Sequence, residues 1–198
     1  MFYNNVPAAD HGNCNQSTKP IYIVLSTPSS KTGQAIHLLT HDTYTHAAIA
    51  FDESISEMYS FGRRFSRTPI PGRIKKESLD SDLFSKKTRL DGMIISLPLT
   101  EEQYEKVRLR TLHMYGNKQV YKYNYLGACG AVLNIGFKTK NRFTCSQFVA
   151  YILEYCDAVD FKKPLNLIKP QDLISLGGEV IFSGNLKEYS QYRTNRLI

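Results

Sequence analysis

Cys145 lies within Asn141-Arg142-Phe143-Thr144-Cys145-Ser146-Gln147-Phe148-Val149-Ala150, where the pattern predicts the start of a helix. Thr144 suits the N-cap, and Phe148, Val149, Ile152 and Leu153 follow at the spacing of an amphipathic helix. A thiol in the first helical turn meets unpaired backbone N–H groups and the positive end of the helix dipole. Both favour the thiolate, which is the nucleophilic form. Taken alone, Cys145 reads first as a core residue, because it shares a stripe with Val149, Ile152 and Cys156 and free cysteine packs as a small hydrophobe. Chemistry at Cys145 requires a base.

His46 is the candidate base. It opens Thr45-His46-Ala47-Ala48-Ile49-Ala50-Phe51, which reads as a strand, and the alanines beside it leave room for another group to approach. Ser54 to Phe61 reads as the returning strand, with Asp52-Glu53 as the turn. In that register His46 pairs with Tyr59, and Glu57 becomes a diagonal neighbour of the imidazole on a face shared with Ala48, Tyr59 and Phe61. A turn one residue longer brings Ser56, Met58 and Ser60 onto that face instead. Histidine, acid and helix-start cysteine together supply what thiol acyl transfer needs. The imidazole takes the thiol proton and later protonates the leaving group, the acid orients the ring, and helix-start N–H groups stabilise an oxyanion.

The elements that would position these groups follow in order. Residues 1–18 are polar and aperiodic and read as a flexible N-terminal arm, leaving 19–198 as a single domain. Ile21 to Leu25 reads as a buried strand and Gly33 to Thr40 as a short helix. Met93 to Leu97 reads as a core strand. A helix then runs from a Thr100/Gln103 capping box to Tyr115, and Gly116-Asn117 stop it. Tyr121 to Tyr125 is an aromatic connector whose phenols could line a cleft. After the cysteine helix, Pro170 stands at the start of a short helix ended by Gly177-Gly178, and Glu179 to Ser183 reads as the last strand. Short helices interleaved with strands predict an α+β fold, an antiparallel sheet packed against helices.

The net charge of +7 is concentrated. Residues 62–90 hold nine Lys/Arg against three acids, an excess of six. This basic stretch reads as either a solvated loop or a surface for an anionic partner. The four cysteines, Cys14, Cys129, Cys145 and Cys156, form neither a disulfide framework nor a zinc cluster. His37 and His41 share a helical face, but the glutamate of a zinc-protease helix is missing, and His11/Cys14 lacks a second pair of ligands. No metal site is expected. No Gly-rich phosphate loop appears, so no cofactor is expected either. With no secretory leader and no apolar run long enough to span a membrane, the chain reads as soluble and cytoplasmic.

Thr45-His46-Ala47-Ala48-Ile49, the hairpin to Glu57, and Phe143-Thr144-Cys145-Ser146-Gln147-Phe148-Val149 resemble the circularly permuted papain-like hydrolases. These are the YiiX-like relatives of the NlpC cell-wall peptidases and of lecithin–retinol acyltransferase. Histidine first and cysteine later is the permuted order, and Lys169-Pro170-Gln171-Asp172-Leu173 looks like that family's Pro-x-Asp-Leu segment. The resemblance covers residues 20 to 183, and against that family the basic stretch 62–90 is an insertion. It implies a permuted papain-like domain in which Cys145 is the nucleophile and His46 the base. It puts the third, polar position near Glu57, with Ser60 as the alternative, and the oxyanion tyrosine of some relatives at Tyr123 or Tyr125. The implied activity is that of a thiol hydrolase of amidase or peptidase type, acting on a peptide, amide or ester. A lipid acyltransferase or thioesterase, and a non-catalytic binding module using residues 62–90, are the alternatives.

Overall fold

The computed structural model describes residues 17–27, 42–65, 68–79, 89–133, 135–137 and 139–196. The expected helix at 33–40, His37, His41, the His11/Cys14 pair and most of the N-terminal arm lie outside these residues.

The fold is α+β. Its sheet has eight strands in the order β7-β6-β4-β3-β2-β1-β5-β8. These are β1 (Thr18–Ser26), β2 (His46–Ala50), β3 (Met58–Phe65), β4 (Thr68–Glu77), β5 (Asp91–Thr100), β6 (Lys122–Tyr123), β7 (Arg142–Phe143) and β8 (Glu179–Asn185). The pairings are antiparallel except β6–β7, which is parallel, so the sheet is mixed rather than wholly antiparallel. The described α-helices are α1 (Glu101–Gly116), α2 (Tyr125–Val132), α3 (Cys145–Tyr155) and α4 (Tyr189–Arg196).

Both faces of the central strands are covered, which is why they read as unbroken apolar runs. Ile21, Ile23 and Leu25 of β1 turn toward a core shared with Tyr104, Val107 and Met114 of α1 and Phe148, Val149, Ile152 and Leu153 of α3. Tyr22 and Val24 turn the other way, into a smaller core with Ala48, Ala50, Met58, Ile94, Leu186 and Tyr189. Each large aliphatic or aromatic side chain buried here contributes about 1.5–3 kcal/mol.

The cysteine helix shows why this stretch folds locally as it does. Thr144 accepts a hydrogen bond from the Gln147 backbone N–H at 3.2 Å, and the Gln147 side chain accepts from the Thr144 N–H at 3.4 Å. This reciprocal capping box satisfies two donors that the helix end would otherwise leave unpaired. Thr144→Ala is expected to cost about 1 kcal/mol of stability, measurable by urea denaturation. The same device starts α1, where Thr100 and Gln103 cap each other.

One expectation changes. The strand pair β2–β3 registers as Ile49 opposite Tyr59 and Ala50 opposite Met58. The connection therefore runs from Phe51 to Glu57 and is not a two-residue turn. Asp52 organises it, since its carboxylate accepts from Ser54 and Ser56 while Ile55 takes a left-handed φ of 53°. Within the stretch 62–90, β3 runs on to Phe65 and β4 occupies Thr68–Glu77. Pro69 and Pro71 argue against a strand there, yet they lie opposite a register shift between Arg63 and Phe65. A bulge is where a strand tolerates a residue without an N–H.

Candidate active site

His46 stands at the first position of β2, ahead of Ala47 and Ala48, which are fully buried. Cys145 stands at the first position of α3 and is 6% exposed. The two are 99 residues apart in sequence, yet the fold sets them side by side: the Cys145 Sγ lies 3.9 Å from the Thr45 carbonyl, one residue before His46, and the imidazole and thiol perturb one another's ionisation.

Several contacts hold the two ends together. The Ser146 hydroxyl donates to the Ile168 carbonyl at 2.6 Å, and Lys169 pairs with Asp42 at 3.2 Å. The start of α3 and the approach to β2 are thus tied to the same segment. Asp172 caps the 3-10 turn of that segment by accepting from the Lys169 N–H at 2.8 Å, and Leu173 is fully buried in the core. Lys169-Pro170-Gln171-Asp172-Leu173 therefore fixes the relation between the strand and the helix. On the other side of α3, Asn124 contacts Gln147 Oε1 at 3.5 Å while capping α2 through the Gly127 N–H at 2.9 Å.

One nitrogen of the imidazole is engaged by a carboxylate. His46 Nε2 lies 3.0 Å from Glu77 Oε2. With Nε2 on the carboxylate, Nδ1 is the nitrogen that remains for a second partner. Glu77 is the last residue of β4, and its side chain is 2% exposed. It also accepts from the Ser60 hydroxyl and pairs with the Lys75 ammonium. Gly62, next on the same face of β3, carries no side chain, and both neighbours use the gap. A Cβ there would stand 3.0 Å from the Lys75 stem and 4.0 Å from the His46 ring.

The acid on His46 is therefore Glu77 and not Glu57. The longer connection between β2 and β3 moves Glu57 off the imidazole's face, and its carboxylate, 49% exposed, binds Lys76 at 2.7 Å. Ser60 does come onto the His46 face, but it serves Glu77, donating to the same oxygen that meets Nε2. Glu77 escaped the sequence reading because it closes a basic run interrupted by two prolines. The available signal was one acid ending the alternation Arg73-Ile74-Lys75-Lys76-Glu77. Of the two tyrosines, Tyr123 packs against Tyr125 with centroids 4.8 Å apart, and the Tyr125 hydroxyl sits over Gly72 of β4.

The charges reinforce one another. Burial works against the imidazolium, yet the Glu77 carboxylate and the hydrogen bonds to Cys145 and Glu77 push the His46 pKa up to about 10. Burial also opposes ionisation of Cys145. The hydrogen bond and charge of His46, with the N–H groups of Ala47 and Ser146, outweigh it and hold the thiol below its ordinary value. Glu77, despite its burial, is held well below the usual carboxylate range by His46 and Lys75. These shifts favour a thiolate–imidazolium pair backed by a carboxylate. By contrast, burial pushes the Cys156 thiol up to about 11.

The back of the imidazole is closed. A void beside His46 and Glu77, lined also by Ser26, Ala48, Met58 and Leu79, measures only about 10 Å³. That is room for at most one water. A larger cleft of about 520 Å³ opens beside Gln147, Glu154, Phe161 and Leu165, but neither Cys145 nor His46 lines it. Among the described residues no group of three His, Cys, Asp or Glu side chains is placed to hold a metal ion. No described helix is long and apolar enough to cross a membrane.

Comparison with known protein families, with curated protein sequences and with solved structures finds no match to this chain.

Proposed function

We propose that this protein is a thiol hydrolase that works through an acyl-enzyme on Cys145, and that its domain is a circularly permuted papain-like fold. The observation that carries the reading is a single imidazole on a buried carboxylate, at the strand start whose Thr45 carbonyl meets the thiol of a helix-start cysteine. The order of histidine before cysteine, and the resemblance of both motifs to the permuted hydrolases, support the fold assignment.

In this mechanism the Cys145 thiolate attacks the carbonyl carbon of an amide or ester. The Sγ–C bond forms as the carbonyl π electrons move to oxygen. N–H groups at the start of α3 are the nearest source of positive dipole for that oxyanion. The tetrahedral centre collapses, the bond to the leaving group breaks, and imidazolium His46 supplies the proton that the amine or alcohol needs. Neutral His46 then takes a proton from water, whose oxygen attacks the thioester and releases the acid. Glu77 keeps Nε2 protonated and leaves Nδ1 for the sulfur, and it stabilises the imidazolium whenever that forms.

The sign of the pKa shifts gives a direct test. The lowered pKa of Cys145 predicts rapid iodoacetamide labelling at pH values where an ordinary thiol, with a pKa of about 8.5, is still protonated. Turnover is expected to fall again as pH rises through about 10, where His46 loses the proton it must give to the leaving group. Peptide-resolved mass spectrometry reads the labelling, with exposed Cys129 as an internal reference. Labelling of Cys145 no faster than Cys129 at neutral pH would overturn the mechanism.

A further inference from the structure

A second set of charges lies on the same sheet face as the imidazole. Arg73 of β4 stands opposite Lys122 of β6, and Lys122 stands beside Arg142 of β7. Residues in register on neighbouring strands project on one face, so three cations form a cross-strand row. On β4, Arg73 shares its face with Lys75 and Glu77, two and four residues on. Across β3 it stands opposite Gly62, the residue that leaves the imidazole its space. At about 4.8 Å per strand, the row is roughly 10 Å long and begins roughly 10 Å from β2.

This arrangement opposes stability, because like charges side by side repel. Lys75 is compensated by Glu77, but none of the ion pairs among the described residues includes Arg73, Lys122 or Arg142. The surrounding sequence supplies little relief. From Lys106 to Leu153 the chain holds eight Lys/Arg and no Asp or Glu. Lys122 and Arg142 are exposed and Arg73 half-buried, so a solute reaches all three.

We propose that Arg73, Lys122 and Arg142 form an anion-binding row that holds carboxylate or phosphate groups of the substrate beside the His46–Cys145 pair. Guanidinium groups match both anions with paired hydrogen bonds, and a lysine between two arginines adds a point charge. Three cations are too few for tight non-specific binding to a nucleic-acid backbone, which relies on about six to ten phosphate contacts. The row fits a short ligand with two or three anionic groups. That this ligand is the substrate rests on Cys145 being the nucleophile, whereas the row itself does not.

The test uses the full chain at low ionic strength, with tripolyphosphate and citrate as probes in titration calorimetry. At least one probe is expected to bind with an affinity that falls steeply with salt, and the tighter of the two identifies phosphate or carboxylate as the preferred group. Lys122→Gln and Arg142→Gln should each weaken binding about tenfold. Both should melt at or above the wild-type temperature, because a repulsion has been removed. Arg108→Gln, on α1 and paired with Glu105, should bind as wild type. If neither anion binds, or if the row variants bind like wild type, the proposal is overturned. A second readout ties the row to the site. The ratio of Cys145 alkylation by anionic iodoacetate to that by neutral iodoacetamide should fall several-fold in the row variants. An unchanged ratio would separate the row from the nucleophile and sink the proposal. If Cys145 reacts with neither reagent, the nucleophile reading fails, while calorimetry still decides the row.

Discussion

Cys145→Ala is expected to remove hydrolysis of a probe ester such as p-nitrophenyl acetate, by about 10⁵-fold or more for any substrate turned over through the acyl-enzyme. Among the described residues, neither the nearby hydroxyl nor the other buried thiol is set to replace the sulfur. The Ser146 hydroxyl is buried and donates to the Ile168 carbonyl, and Cys156 is a buried thiol whose pKa is pushed upward. The fold should survive, because the side chain loses one sulfur atom at a position that the capping box of α3 does not use. Circular dichroism and the melting temperature check that. The acyl-enzyme should be visible in the wild type as an ester-dependent mass increase on the Cys145 peptide, absent from the variant. Turnover that persists in Cys145→Ala at wild-type rate, with the acyl group on another residue, would remove Cys145 from the mechanism.

The second large effect is a contrast between two glutamates. Glu77→Gln is expected to lower kcat by about 10²- to 10⁴-fold with little change in KM. An amide in place of the carboxylate removes the charge that holds His46 protonated. The His46 pKa should fall, and the alkaline limb of the pH–rate profile should move down with it. Glu57→Gln, at a carboxylate that meets Lys76 and Tyr59 among the described residues near the surface, should leave kcat within about twofold and stability within about 0.5 kcal/mol. Glu77→Ala carries a further cost of about 3 kcal/mol, because it leaves Lys75 and Ser60 facing buried space without their partner. The mid-range pH profile separates orientation from mere structural support, since a packing defect would not shift the alkaline limb. Equal effects from Glu57→Gln and Glu77→Gln would refute the assignment of Glu77.

These contrasts show where sequence patterns inform and where they stop. The helix at Cys145 was legible because its causes are local. Thr144 and Gln147 cap it, and the apolar stripe Phe148, Val149, Ile152 and Leu153 recurs at helical spacing. The same holds for α1 with Thr100 and Gln103, for the 3-10 turn that starts at Pro170 and stops at Gly177 with φ 81°, and for the buried strands β1 and β5. The helix and turn ends rest on contacts within a few residues, and the strands show as unbroken apolar runs because both of their faces are covered.

The hairpin after His46 was not legible in the same way. Its register depends on how many residues the connection uses, and the side chains of Asp52, Ser54 and Ser56 settle that by folding back on one another. Relative to a two-residue turn, the position opposite Ile49 moves from Ser56 to Tyr59. A shift by an odd number exchanges the two faces of the strand, so Glu57, Tyr59 and Phe61 left the imidazole's side and Met58, Ser60 and Gly62 took it. Glu77 was still further from view. It reaches His46 only because β4 pairs with β3, and the two prolines at the bulge disguise that strand.

The sequence by itself determined the local elements and the residue types able to do thiol chemistry: a cysteine at a helix start and a histidine at a strand start flanked by alanines. Tertiary structure alone decided which carboxylate serves that histidine, and which three cations share its face, because both depend on strand register. Register follows from the summed packing of two cores and from the length of one turn, and neither is written in the spacing of any single motif.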